Sequence, residues 1–143
     1  MKDNELIVCR DVSLGYEGRS VLSGLNLTIS KGDYLCVVGD NGSGKSTLLR
    51  CVNLLETPSS GQILYHGTDV AGRGVNAPEY RSHVGMVFQS FNLFNNMDVM
   101  HNLTAAPVRI KGMSQSDAQE KALELLAKVG LADRADAYPS QLS

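Results

Sequence analysis

An α/β fold built around a phosphate-binding loop is what this sequence predicts, and three observations carry the prediction. The run Tyr34, Leu35, Cys36, Val37, Val38 is apolar and rich in β-formers, the pattern of a strand buried on both faces. It leads straight into Gly39, Asp40, Asn41, Gly42, Ser43, Gly44, Lys45, Ser46, Thr47, which matches GxxxxGK[ST]. Leu48, Leu49, Val52 and Leu55 then recur at helical spacing. Strand, loop and helix in this order give the pattern a mechanism, which an accidental glycine-rich turn would lack.

That mechanism follows from the residue types. Glycines at 39, 42 and 44 let successive backbone N–H groups converge on an anion at the positive end of the following helix. Lys45 can reach the outer phosphates, Ser46 offers a hard hydroxyl to Mg²⁺, and Thr47 lies where it can bond an inner phosphate. The implied ligand is a nucleoside triphosphate with Mg²⁺.

The remaining elements read in order as follows. Residues 5–14 alternate as a half-buried strand does, 15–20 form a turn, and 21–29 alternate again with an interruption at Gly24. Lys31, Gly32 and Asp33 turn the chain into the loop strand. The helix that opens at Lys45 is expected to run to about Leu55, before Thr57, Pro58, Ser59, Ser60 and Gly61. Residues 62–65 make a short strand closed by His66 and Gly67, and 68–80 read as a Gly-, Ala- and Pro-containing loop. Residues 84–88 are a second doubly buried strand ending at Gln89. Residues 99–108 suit a short helix despite Pro107, with Asp98 able to cap it. The clearest helix spans 114–129: Ser114 caps with Asp117 three residues on, Ala118, Ala122, Leu125, Leu126 and Val129 share a face, and Gly130 stops it.

Composition sets outer limits. The 143 residues are 43% hydrophobic and 20% charged, which is a globular balance with length for one ordinary domain. A net charge of −2 without any Lys/Arg cluster offers no stripe for a nucleic-acid backbone. The polar, acidic start is unlike a signal peptide, and no apolar run approaches the roughly 20 residues that cross a bilayer. Cys9, Cys36 and Cys51 each lie in apolar segments and read as small core residues of a reduced, cytosolic protein. With no CxxC pair and with His66, His83 and His101 scattered, no side-chain metal site is expected.

The run Val84, Gly85, Met86, Val87, Phe88, Gln89, Ser90, Phe91, Asn92, Leu93, Phe94 resembles the Q-loop region of the ATP-binding subunits of ABC transporters. Residues 48–56 and 122–142 are similar to the branch that drives import of polar amino acids, and the resemblance covers nearly the whole chain. A phosphate loop alone leaves kinases and GTPases open; a phosphate loop followed by this glutamine region does not. The resemblance implies a P-loop NTPase fold of ABC type: an N-terminal antiparallel β subdomain, part of a parallel core, and the start of a helical subdomain. Residues 1–94 would form the β subdomain with the loop core and 95–143 the helical subdomain. It further implies ATP and Mg²⁺ as ligands, transmembrane permease subunits and a second ATP-binding subunit in a homodimer as partners, and a cytoplasmic position at the inner membrane face through the permease.

Carried over by residue, Gly39, Asp40, Asn41, Gly42, Ser43, Gly44, Lys45, Ser46 and Thr47 are the ATP cradle. Ser46 and Gln89 match the Mg²⁺ contacts. Tyr16 matches the aromatic that stacks on adenine, a role that needs only a π-face; the bland alternative is a half-buried strand-end tyrosine. Gln89, with Lys45, matches a catalytic role: an amide can both donate to and accept from the metal or attacking water. A solvated residue closing a strand is the alternative for Gln89.

Departures are specific. Where the family has a proline-containing turn followed by Thr and Glu, this chain has Asn95, Asn96, Met97, Asp98 and then His101, which removes an acid from the transporter-facing surface. Asp40 adds a negative charge beside the triphosphate. The chain closes on Leu142 and Ser143, where the family begins its LSGGQ signature, so the later catalytic glutamate and switch histidine have no counterpart here. The expectation is therefore a truncated domain that binds Mg-ATP without hydrolysing it alone, whose loop strand lacks sheet neighbours and whose stability is marginal. A small-molecule kinase and a non-catalytic nucleotide-binding piece are the alternative readings. Which solute is served is not legible.

Overall fold

The computed structural model describes residues 4–90 and 92–142 and divides into two compact units, 1–87 and 88–143. The first unit is a four-stranded antiparallel sheet with two helices. Strand β1 (Glu5–Tyr16) pairs with β2 (Arg19–Ser30), and β1 pairs on its other side with β3 (Ser60–Tyr65), which pairs with the two-residue β4 (Thr68–Asp69). The order across the sheet is β2-β1-β3-β4. Tyr16 pairs with Arg19, so the β1–β2 turn is only Glu17 and Gly18, tighter than the sequence suggested.

The alternation of β1 buries Ile7, Cys9 and Val12, which pack with Ile63 of β3 and with Leu54, Val70 and Tyr80 into one core. Helix α1 (Lys45–Val52) ends earlier than expected, and the reason is a stop that carries no glycine. Leu54 takes a left-handed backbone at φ 51° and closes a Schellman motif: Leu55 N donates to Arg50 O at 2.8 Å and Leu54 N to Cys51 O at 2.9 Å. Residues 68–80 were expected to be loop, yet they hold β4 and the start of α2 (Ala77–His83). Asn76 caps α2 by accepting from Glu79 N at 3.3 Å, and a proline sits in its first turn.

Three further expectations are corrected. Neither 34–38 nor 84–88 forms a strand, because pairing partners for a ladder are not present among the described residues. Tyr34 and Val87 are almost fully exposed in consequence. Cys36 is exposed for the same reason, whereas Cys9 and Cys51 are buried as expected. The missing neighbours of the loop strand do agree with the sequence reading.

The second unit is helical. In α3 (Val99–Arg109) Asp98 caps the first turn, accepting from His101 N at 2.7 Å. Pro107 lies inside the helix, near its end. In α4 (Gln115–Lys128) Ser114 accepts from Asp117 N at 3.1 Å, and Gly130 at φ 73° closes a Schellman motif through Leu131 N to Leu126 O. The buried face of α4 is Ala118, Ala122 and Leu126; Leu125 and Val129, assigned to it from spacing, are exposed.

Candidate functional site

The loop that precedes α1 is shaped by backbone conformations that side chains resist. Gly44, the N-cap of α1, is left-handed at φ 92° and lies on β2; a Cβ there would sit 3.2 Å from Val21 Cγ1 and from Val21 O. At Gly39 a Cβ would come within 2.8 Å of Ser43 Oγ. Ser43 N donates to Asp40 O at 3.2 Å, which curls the loop back on itself.

Helix α1 begins with no side-chain cap and no acidic residue in its first turn. A Ser, Thr, Asp or Asn in that place would spend its side chain on one of the free N–H groups, and Gly44 does not. An N-terminus left this way presents N–H groups and a partial positive charge to an anion. Lys45 completes the arrangement: its ammonium donates to Gly39 O at 2.7 Å and to Asp40 O at 2.6 Å. An ammonium has three donors, so one remains for a ligand oxygen. Ser46 and Thr47 follow in the same first turn. The donor set is cationic and rich in N–H, with hydroxyls beside it, and it suits a polyphosphate carrying a divalent cation. The Asp40 carbonyl serves the loop, accepting from Ser43 N and from Lys45.

Support for α1 comes from α2, which sequence reasoning missed. Tyr80 Oη donates to Val52 O at 2.7 Å, and Arg81 donates to Leu54 O at 3.0 Å. Both acceptors lie at the exit of α1, where helix carbonyls run out of partners. The signal was present as Asn76, Pro78 and Glu79, a cap, a helix-opening proline and an N3 acid. Cys51 on α1 is fully buried, and burial pushes its thiol up to about 11.

Tyr16 ends β1 and is 45% exposed. Partial desolvation, and then the nearby Glu56 carboxylate, raise its phenol above the ordinary value. Gln89 is exposed and belongs to the second unit, so the structure brings Tyr16 and residues 39–47 into one unit and describes Gln89 in the other.

Residues 22–143 match the model of the ABC transporter family. The chain is 42% identical to the glutamine transport ATP-binding protein GlnQ of Geobacillus stearothermophilus, covering 96% of this chain and 57% of that protein. It is 41% identical to the histidine/lysine/arginine/ornithine transport ATP-binding protein HisP of Salmonella typhimurium, covering 100% of this chain and 60% of that one. The chain thus spans somewhat more than half the length of these curated relatives. Among solved structures, a dimeric ATP-binding cassette in a post-hydrolysis state bound to ADP and Pi superposes with a TM-score of 0.83 at 26% identity, over 96% of this chain and 63% of that one. CbiO1 of Clostridium perfringens, part of an ABC transporter complex, gives 0.79 at 26% identity, over 99% and 57%.

Proposed function

This chain belongs to the ABC transporter family, and from that premise we propose that it is the ATP-binding, energy-coupling part of an importer for polar amino acids. Residues 39–47 hold Mg-ATP. The observation that carries the reading is the uncapped start of α1 with Lys45 folded across its loop, 2.6 Å and 2.7 Å from two loop carbonyls.

Each residue then has a task. The N–H groups from Gly42 to Thr47 and the third donor of Lys45 bind the phosphates, and Ser46 offers its hydroxyl to the cation. Tyr16 gives the adenine a π-face. Gln89 bonds water or metal and transmits nucleotide state to the membrane subunit. Bound Mg-ATP supplies the anhydride whose cleavage powers transport. These 143 residues include no candidate for the catalytic carboxylate, so by themselves they bind without turnover.

The solute class is supported by the relatives, whose names specify glutamine and basic amino acids. Permease subunits and a second ATP-binding subunit are the expected partners, with the whole held at the inner membrane face. No helix among the described residues is long and apolar enough to cross a membrane. Residues 1–94 serve as the β subdomain with the loop and 95–143 as the helical subdomain.

Calorimetric titration with Mg-ATP tests this directly. Lys45→Ala removes a charge-assisted bond worth about 1.5–3 kcal/mol, so affinity should fall about ten- to a hundredfold. Phosphate release should be negligible. Equal affinity in the variant would refute the cradle, and sustained phosphate release would refute binding without turnover.

A further inference from the structure

The first unit holds a cavity of about 320 Å³ between the β3–β4 hairpin and α2, away from the phosphate loop's own residues. Its walls are rings. Tyr65 stands at the centre, with His66 edge-on at 4.5 Å, Tyr80 edge-on at 5.3 Å and His83 nearly parallel at 6.2 Å. Val70 and Val75 add apolar surface to the lining. The volume is at the lower end of small-ligand sites, enough for a molecule the size of an amino acid.

Charge narrows the choice of ligand. No lysine or arginine lines the cavity, and Glu79 is its one carboxylate. Glu79 receives only a long 3.4 Å contact from Asn76 Nδ2, so its charge stays available. Arg81, the cation on the same helix, is not among the lining residues and donates to Leu54 O. The Tyr80 hydroxyl is likewise committed to Val52 O, which leaves its ring as wall. Negative ring faces and one carboxylate, with no fixed cation among them, attract a positive group.

We propose that this cavity binds a small organic cation, a guanidinium or alkylammonium, against the aromatic wall around Tyr65 with its charge paired to Glu79. The site stands apart from the nucleotide reading and does not depend on it. Neutral planar ligands gain the stacking but not the pairing, so they bind more weakly.

The test is titration of the chain with L-arginine, with L-citrulline as the isostere whose side chain is uncharged and both with the α-amino group acetylated, followed by calorimetry and by chemical-shift changes of the tyrosine rings. Saturable binding of arginine is expected, with citrulline weaker by about tenfold and Glu79→Gln weakening arginine by about fivefold. Tyr65→Leu should abolish binding. If that variant fails to fold, Glu79→Gln at an exposed position decides the matter alone. Absence of saturable arginine binding, equal binding of citrulline, or an unchanged affinity in Glu79→Gln would each overturn the proposal.

Discussion

Replacing Tyr80 by Phe tests how the helix behind the phosphate loop is held. Tyr80 is 4% exposed, packs edge-on against Tyr65, and donates to Val52 O at 2.7 Å. Phenylalanine keeps the ring and its packing but removes the donor, and the Val52 carbonyl at the exit of α1 loses that bond. The cost at neutral pH should be about 1–2 kcal/mol. The phenol adds a second, independent readout. Burial pushes it from 10.0 up to about 12. A folded value above the unfolded one means that stability is complete below pH 10 and is lost as the pH rises from 10 to about 12. Over that interval the wild type gives up as much as about 3 kcal/mol, while the variant, having no phenol there, gives up none of it. The 1–2 kcal/mol advantage of the wild type should therefore vanish near pH 11, to order of magnitude, and reverse above it. Cys51 also ionises in this range, but both chains share that loss, so the difference isolates Tyr80. Urea denaturation followed by circular dichroism at stepped pH measures both. Stability curves that stay parallel up to pH 12 would show that the hydroxyl does not hold α1.

Three other substitutions probe separate links. Gly44→Ala forces a side chain into φ 92° and against Val21, so it should lose about 1–2 kcal/mol of stability and weaken Mg-ATP binding by more than Gly42→Ala, whose Cβ would meet open space; calorimetry compares the two. Asp98→Ala should cost about 1 kcal/mol, seen in urea midpoints, by removing the cap of α3. The His101 N–H holds the Asp98 carboxyl below its usual value, so this stability is present above that value and lost as the pH falls through the lowered one. The variant should lack that acid limb. Val38→Lys with Val87→Lys should reduce self-association in light scattering without shifting the urea midpoint, since both side chains are exposed on unpaired apolar segments.

What the sequence revealed and what it hid divide along one physical line, the range of the interaction that fixes each element. Ser114, Asp98 and Gly130 act on N–H and carbonyl groups within a few residues, and their caps and stop stand where spacing placed them. The glycine-rich turn into α1 is legible for the same reason: glycine conformations and the helix end are local. The apolar runs 34–38 and 84–88 were equally visible, but a strand is defined by a neighbour, and no local pattern states whether a neighbour is at hand. Cys36 was misplaced with them. Helix α2, seven residues long, is too short for a period to emerge from its Gly- and Pro-containing surroundings.

The end of α1 shows how the two ranges interact at the site itself. Left-handed backbone costs a branched residue such as leucine about 1–2 kcal/mol, so local preference argues against a stop at Leu54. The stop exists because the surroundings over-determine it: the Leu54 side chain is buried in the core, its carbonyl accepts from Arg81, and the Val52 carbonyl accepts from Tyr80. Helix α2, distant in sequence, thus sets where the phosphate-loop helix finishes. The beginning of that helix is governed differently, by Gly44 against Val21 of β2. One end is written in the loop motif and the other in contacts some thirty residues away. A helix clamped at both ends by different elements holds its N-terminal N–H groups still relative to the sheet, and a phosphate cradle made of backbone depends on that rigidity.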